Sequence, residues 1–472
     1  MSNAGFLCYP LNFIKDSKQL TAKGIKKVKT SIQFINHASV IIKGDNISVL
    51  SDPWYQGDSF HKGWNLLCET SDNQSLDVLN KITHIWISHE HPDHFSIPFF
   101  KKFSKQINER KIKILFQDTK DKRVVQFFKN LSIDYFELKD NINLKLDESF
   151  SVTCLKDGFY DSALLVINKN EKILNLNDCD VTHKNKAKEI FSKTGEVDVL
   201  LTQFSYAAWK GGIANKKWRI EAAFEKLNTV DLQISIFNPK FIIPFASFIY
   251  FSNKENFYLN DSINKPSDVI DKFKDSKFKI IIMKPNDLIE GNFEDTSNTK
   301  SIEFWSKLYS EINQKTINVY ETVNYESICE NFLKYCERIS IKNNMTFIAI
   351  IKSISPIPLF NPVVVNILDL NITLKFDYVT KKIERTTEAP MICLMSESLN
   401  FIFSNSFGFD TLTVNGCFEE GKVGGFVMAT KSLAIENLNN LGIFVTPSLI
   451  FNFSILKLFF LRLYRVAKKI NS

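Results

Sequence analysis

The octapeptide Ile87-Ser88-His89-Glu90-His91-Pro92-Asp93-His94 constrains this chain more than any other stretch of it. It follows His84-Ile85-Trp86-Ile87, a run that reads as a short buried strand. His89, His91, Asp93 and His94 therefore fall on a loop at a strand end, where a rigid sheet can aim several side chains at one point. Imidazole and carboxylate are ligands for zinc, iron and manganese. The spacing lets His89 and His91 hold one ion while Asp93 and His94 turn toward a second. Only seven histidines occur in the 472 residues, and three lie here. A solvated loop with chance histidines does not account for that density.

These residues match the His-x-His-x-Asp-His signature of the metallo-β-lactamase superfamily. Three flanking segments strengthen the likeness: Asn36-His37-Ala38-Ser39, Ser51-Asp52-Pro53-Trp54, and Asn175-Leu176-Asn177-Asp178-Cys179. Within the superfamily the chain resembles the metal domain of the CMP-N-acetylneuraminic acid hydroxylase family, over roughly residues 30–290. Asp157-Gly158, Asp161-Ser162 and Ile243-Pro244-Phe245-Ala246 belong to that narrower resemblance. The superfamily's αββα sandwich is what the resemblance implies; alternating strands and helices permit it.

Composition sets the outer bounds. The length allows two domains, or one with an appendage. Apolar content of 44% and charged content of 24% are those of a globular protein. No secretory leader and no spanning helix are expected. Eight scattered cysteines without a Cys-x-x-Cys pair argue against a disulfide framework, a zinc ribbon or a Rieske cluster in this sequence. A cytoplasmic protein follows, one that also has the option of peripheral contact with the inner membrane face. The net charge of +7 is dispersed, and Lys-rich patches such as Lys23–Lys29 read as solvated faces, so no nucleic-acid partner is expected.

Along the chain the fold class is α/β: residues 1–295 form the sandwich, 301–445 a smaller α+β domain, and 446–472 a tail. Strands are expected at 31–36, 39–43, 47–51, 112–116, 150–154, 162–168, 172–177, 197–202 and 240–244. Helices are expected at 97–107, 121–130 and 217–229, and Ile280–Asp287 reads as the closing strand. Beyond a polar boundary at 291–300 the pattern gives a helical segment 301–340, then β runs near 345–353, 362–368 and 371–377. A helix at 396–403 and a strand from Phe409 to Cys417 follow. This order resembles a sterol-carrier-protein-type domain; a structural cap or a homodimerisation module fits it equally. From Ser454 to Ile470 five basic residues gather opposite an apolar face, as on an amphipathic helix. Such a helix docks on protein or lies on an anionic membrane.

The resemblance also shows where the donor set departs from zinc hydrolases, which carry two further histidines. Here the corresponding stretches are Asp157–Ser162 and Ile243–Phe248, without histidine. A carboxylate-rich set suits harder ions. Two divalent metals are therefore expected, iron favoured, with zinc and manganese as alternatives. The expected ligands are His89, His91, Asp93, His94, the bridging Asp178, and Asp161 in competition with Asp157. Asp93 is also the expected catalytic carboxylate. His183 reads as a surface residue, His84 as a hydrogen-bonded core histidine. His37, Trp54, Tyr206, Trp209 and Lys210 are the expected substrate-side residues, suited to an anionic or sugar-bearing group.

The resemblance implies oxygen insertion on a nucleotide sugar, amino sugar or related polar metabolite, with electrons from a separate protein. The rival reading is hydrolysis of a phosphoester, amide or lactone, in which Asp93 orients an activated water. A third is a non-catalytic metal-binding scaffold, which the intact His-x-His-x-Asp-His cluster disfavours.

Overall fold

The computed structural model describes residues 30–451 apart from Phe159 and Asn292. The Lys23–Lys29 patch and the basic face expected from Ser454 to Ile470 lie outside the described residues.

Two seven-stranded sheets stack face to face. The first runs, edge to edge, Leu288–Glu290, Ser31–Asn36, Ser39–Lys43, Ser48–Ser51, His84–Ile87, Lys113–Gln117 and Tyr135–Leu138. The hairpin half is antiparallel, and from Ser48–Ser51 outward the pairing is parallel. The second sheet runs Lys279–Ile280, Phe241–Phe245, Val199–Gln203, Glu171–Asn175, Asp161–Asn168, Phe150–Asp157 and Asn143–Lys145.

Strand alternation explains the layers. In His84–Ile87, Trp86 points into the core between the sheets, with Val152, Leu164 and Leu174. Ile85 and Ile87 point outward into a separate core under the helices, with Phe99, Phe100, Phe103 and Phe128. A strand covered on both faces has no polar positions to spare, so its sequence is a continuous apolar run. The outer helix Ile97–Glu109 starts where the Ser96 hydroxyl accepts from the Phe99 amide at 3.4 Å. This is an αββα sandwich, the arrangement the resemblance implies.

Residues 320–445 build a second core around a five-stranded sheet, in the order Lys382–Arg385, Ile372–Asp377, Val363–Ile367, Ile392–Leu394 and Glu419–Glu420. Helices Tyr325–Lys342 and Ser396–Ser404 pack together through Phe332, Tyr335 and Phe403. The two units meet closely. Asn415 donates to the Phe60 carbonyl at 3.1 Å, and Asn256 donates to the Asn415 carbonyl at 2.6 Å. Gly63 permits this approach, since a Cβ there would fall 2.4 Å from that of Asn415.

Several expectations are corrected. The closing strand Ile280–Asp287 is not continuous. Lys279–Ile280 pairs beside Phe241–Phe245, a Pro285-containing turn pinned by Asp287 crosses over, and Leu288–Glu290 closes the first sheet. The segment 301–340 is two helices, Thr299–Ser310 and Tyr325–Lys342, the second started by an Asn324 cap. The β run at 345–353 is a helix, Met345–Ile354, because Asn344 caps the Phe347 amide at 2.9 Å and outweighs the β-branched content. The strand from Phe409 is also a helix, Gly408–Asn415, stopped by Gly416 at φ 70°. The helix expected at 217–229 continues to Phe237.

His84 is buried, 2.8 Å from the Thr83 hydroxyl, and burial lowers its pKa to about 4. The unfolded imidazole takes up a proton near pH 6.5, so between pH 6.5 and 4 the unfolded state binds more protons. Stability therefore falls as pH drops through that window, by on the order of 2 kcal/mol after allowance for solvent screening. Urea melts at pH 7 and pH 4.5 should converge for His84→Gln relative to the parent. An unchanged difference would show that His84 does not carry it.

Candidate metal centre

Chemistry-bearing side chains collect at one edge of the sandwich, where strands from both sheets end. Ser48–Ser51 delivers Asp52, His84–Ile87 delivers the histidine loop, and Glu171–Asn175 delivers Asn177 and Asp178. Val199–Gln203 ends in Gln203, and Phe241–Phe245 leads to Ala246. Phe150–Asp157 and Asp161–Asn168 join at the same edge through their hairpin.

The donors form two overlapping triplets: His37 with Asp93 and His94, and His89 with His94 and Asp178. Each is compact enough for one ion. The His94 Nε2 atom lies 3.1 Å from Asp93 Oδ2 and 3.4 Å from Asp178 Oδ2. His37 Nε2 lies 3.4 Å from the same Asp93 oxygen. On the other side His89 Nε2 is 2.9 Å from His91 Nδ1 and 3.7 Å from Asp161 Oδ1. So the structure brings together His89, His91, Asp93, His94, Asp161 and Asp178.

Asp157, the cross-strand partner of Asp161, is paired with Lys186 at 2.8 Å, which leaves Asp161 as the carboxylate facing His89. His183 is exposed at the start of helix Lys184–Thr194.

The substrate-side residues are largely corrected. His37 is buried and joins the donors. Trp54 packs edge-on against it at 5.6 Å and is buried as well. Tyr206 is a core residue whose hydroxyl donates to the Leu259 carbonyl. Trp209 leaves the sandwich and seats in the second core, its ring 4.7 Å from Phe418 and 5.0 Å from Phe426. Aromatic rings buried this fully serve packing, not a ligand wall. Lys210 alone of these stays partly open, and burial lowers its amine pKa.

Asp52, which the sequence shows only as part of an Asp-Pro element, organises the site. It accepts from the Ser88 amide and the Ser88 hydroxyl, each at 2.8 Å, and from the Asn177 side chain. It also lies 3.1 Å from His94 Nδ1. Gln203 supports Asp178 in a similar way, donating to Oδ1 at 3.1 Å. Four site residues with side chains sit at positive φ: His37 at 37°, Asp52 at 37°, Asn177 at 48° and Ala246 at 52°. Such backbone costs about 1–3 kcal/mol per residue and tends to cluster at functional sites.

Electrostatics are correspondingly polarised. Burial holds His89 well below its ordinary pKa. Burial also opposes charge on His91, but Asp410, Asp93 and Asp161 outweigh it and lift that ring to about 9. Asp161 is pushed up to about 7, chiefly by burial. Among the buried polar atoms without a hydrogen-bond partner are His37 Nδ1, Asp93 Oδ1 and His94 Nε2. Leaving a buried polar atom without a partner is costly, and a divalent cation would meet the need of both Asp93 Oδ1 and His94 Nε2. The residues present fit a metal.

Residues 31–153 match the family described as the beta-lactamase superfamily domain. Among curated proteins, cytidine monophosphate-N-acetylneuraminic acid hydroxylase of Mus musculus is 29% identical over 274 residues, covering 51% of this chain and 45% of its own. The Xenopus laevis protein is 28% identical, covering 52% and 43%. The chain thus spans less than half the length of these relatives. Solved structures with a similar arrangement include CmlA, a diiron β-hydroxylase from Streptomyces venezuelae, with a TM-score of 0.40 and 12% identity over 56% of this chain and 54% of that one. An isothiocyanate hydrolase from Delia radicum gut bacteria has a TM-score of 0.41 and 11% identity over 55% and 100%. Among the described residues no helix is long and apolar enough to cross a membrane.

Asp52→Ala should strip acceptors from two Ser88 donors and Asn177 at once. Stranding buried donors costs about 1–3 kcal/mol each, only partly additive, so a loss of about 3 kcal/mol in urea unfolding is expected. Asp157→Ala, breaking one ion pair with the more exposed Lys186, should cost less. Equal losses in the two variants would remove Asp52 from its organising place.

Proposed function

From the β-lactamase-superfamily domain that this chain carries, we propose a metal-dependent oxygenase akin to the CMP-N-acetylneuraminic acid hydroxylases. Its substrate would be a nucleotide sugar, amino sugar or related polar metabolite, with electrons supplied by a separate protein. The observation that carries this reading is the donor set. His37, His89, His91 and His94 converge with Asp93, Asp161 and Asp178.

Such a mixture suits iron or manganese. When bound, the ions would supply Lewis acidity and, if iron, one-electron chemistry. The chain's own work is orientation. The Ser88 hydroxyl lies 2.9 Å from His89 Nδ1 and Asp52 3.1 Å from His94 Nδ1, so in both rings Nε2 is the nitrogen turned to the centre. Gln203 holds Asp178. Asp93 is buried against two imidazoles, which keep its carboxyl well below the ordinary range despite its burial. It is thereby kept as a carboxylate, an acceptor for a substrate hydroxyl or a water. Half-buried Lys210 is a cation suited to an anionic substrate group.

Protein purified without air should contain iron or manganese. His89→Ala/His91→Ala should lose most of it while still melting cooperatively, because the two sheet cores do not include these rings. Dioxygen uptake that depends on a sugar nucleotide, with an artificial electron donor, is the expected activity. Stoichiometric zinc, with hydrolysis that iron suppresses and no dioxygen uptake, would establish the hydrolase instead.

A further inference from the structure

Each histidine of the loop has one ring nitrogen turned to the centre and one turned away. For His89 and His94 the outward nitrogen is met by a residue of the sandwich, Ser88 and Asp52. His91 is reversed. Its Nδ1 faces His89 Nε2 at 2.9 Å, and its outward Nε2 lies 3.5 Å from Asp410 Oδ2. Asp410 belongs to the second unit, on helix Gly408–Asn415.

That carboxylate is itself held. Asn437 reaches its other oxygen, Oδ1, at 3.3 Å, and the Asn437 carbonyl accepts from the Tyr160 hydroxyl at 3.2 Å. The Arg123 guanidinium lies 4.5 Å over the Phe407 ring, just before the same helix. The helix end is tied to the sandwich through Asn415, which donates to the Phe60 carbonyl. Asp410 is thus fixed against the histidine loop from both units.

We propose that Asp410 is a positioning residue of the metal centre: it selects the Nε2-protonated form of His91 and so presents the Nδ1 lone pair to the ion. It is not itself a ligand of that ion, because Nε2 and Nδ1 lie on different edges of the ring. A carboxylate behind a ligating imidazole fixes its orientation and raises its basicity, and removing such a partner costs 10- to 100-fold in metal affinity. The second unit is thereby an integral part of the metal centre, and its seating on the sandwich sets how tightly metal is held. The inference rests on the proposal above that the loop binds metal.

The test is Co(II) titration of the full chain, with affinity read by competition against a chelating dye and geometry by the visible d–d bands. Asp410→Ala should weaken Co(II) 10- to 100-fold and shift the bands. Asp410→Asn, whose amide oxygen still accepts from Nε2–H, should recover most of the loss. Lys62→Ala removes a 3.1 Å ion pair to Glu397, an oxygen shared with His61 but with none of the loop histidines, at the same junction, and should leave affinity unchanged. Parent-like affinity in Asp410→Ala, or an equal loss in Lys62→Ala, overturns the positioning role while the metal reading stands. Absence of Co(II), Mn(II) or Fe(II) binding by the parent overturns the metal reading itself.

Discussion

The Asp52 carboxylate is the constraint on which the site depends. It ends one strand of the first sheet, takes two hydrogen bonds from Ser88 at the end of the neighbouring strand, and takes a third from Asn177, which follows a strand of the second sheet. One buried anion therefore locks three strand ends together across the sandwich. Its remaining neighbour is His94 Nδ1, so the group that fixes the scaffold also fixes a ring at the centre of both donor triplets. A neutral residue of the same shape could accept fewer of these bonds and would leave the imidazole without an oriented partner.

Convergent carboxylates repel one another, and the fold offsets that cost elsewhere. The inter-sheet core buries Trp54, Trp64, Trp86 and Trp305 almost completely. Burying a side chain of that size stabilises by a few kcal/mol. That margin is what lets His37, Asp52, Asn177 and Ala246 stay at positive φ. A bound cation would add to it by mass action, since the unfolded chain holds no comparable donor set. The same logic explains why the rim is polar and the walls behind it are not. Aromatic rings near the edge, such as Trp54 and Tyr206, brace the strand ends from within the core.

The loop and its strand were legible because both rest on local rules. A four-residue apolar run bounded by polar residues reads as a buried strand, and donors packed within six residues must converge wherever the loop goes. The αββα sandwich is legible through the resemblance that the same residues carry. Readings failed where a cap or a distant partner decides. Met345–Ile354 is rich in β-branched residues, and only the Asn344 cap marks it as a helix. The helix Gly408–Asn415 carries Thr411, Thr413 and Val414, which suit a strand, and its end is set by Gly416. The sequence puts Trp209 beside Lys210 and a glycine pair, a setting that suits a substrate wall. In the fold it is pulled into the second core by Phe418 and Phe426. No periodicity within residues 205–212 could have announced partners two hundred positions away.

Asp410 is the sharpest instance of that limit, and it bears on how such a centre diversifies. The stretch 31–153 that matches the superfamily domain contains His37, Asp52 and the whole histidine loop. Asp161 and Asp178 lie beyond it on the second sheet, and Asp410 lies on a different unit altogether. The inner donors are fixed by short loops on rigid strands, where a shift of one residue would reverse a side chain. The outer groups arrive on a hairpin end, a turn and a helix, each able to vary without disturbing the sheets. On the proposed reading, metal capture and metal tuning would be carried by separable parts of the chain. Substitution at the outer positions would then change how firmly an ion is held, while Asp52 keeps the inner geometry intact.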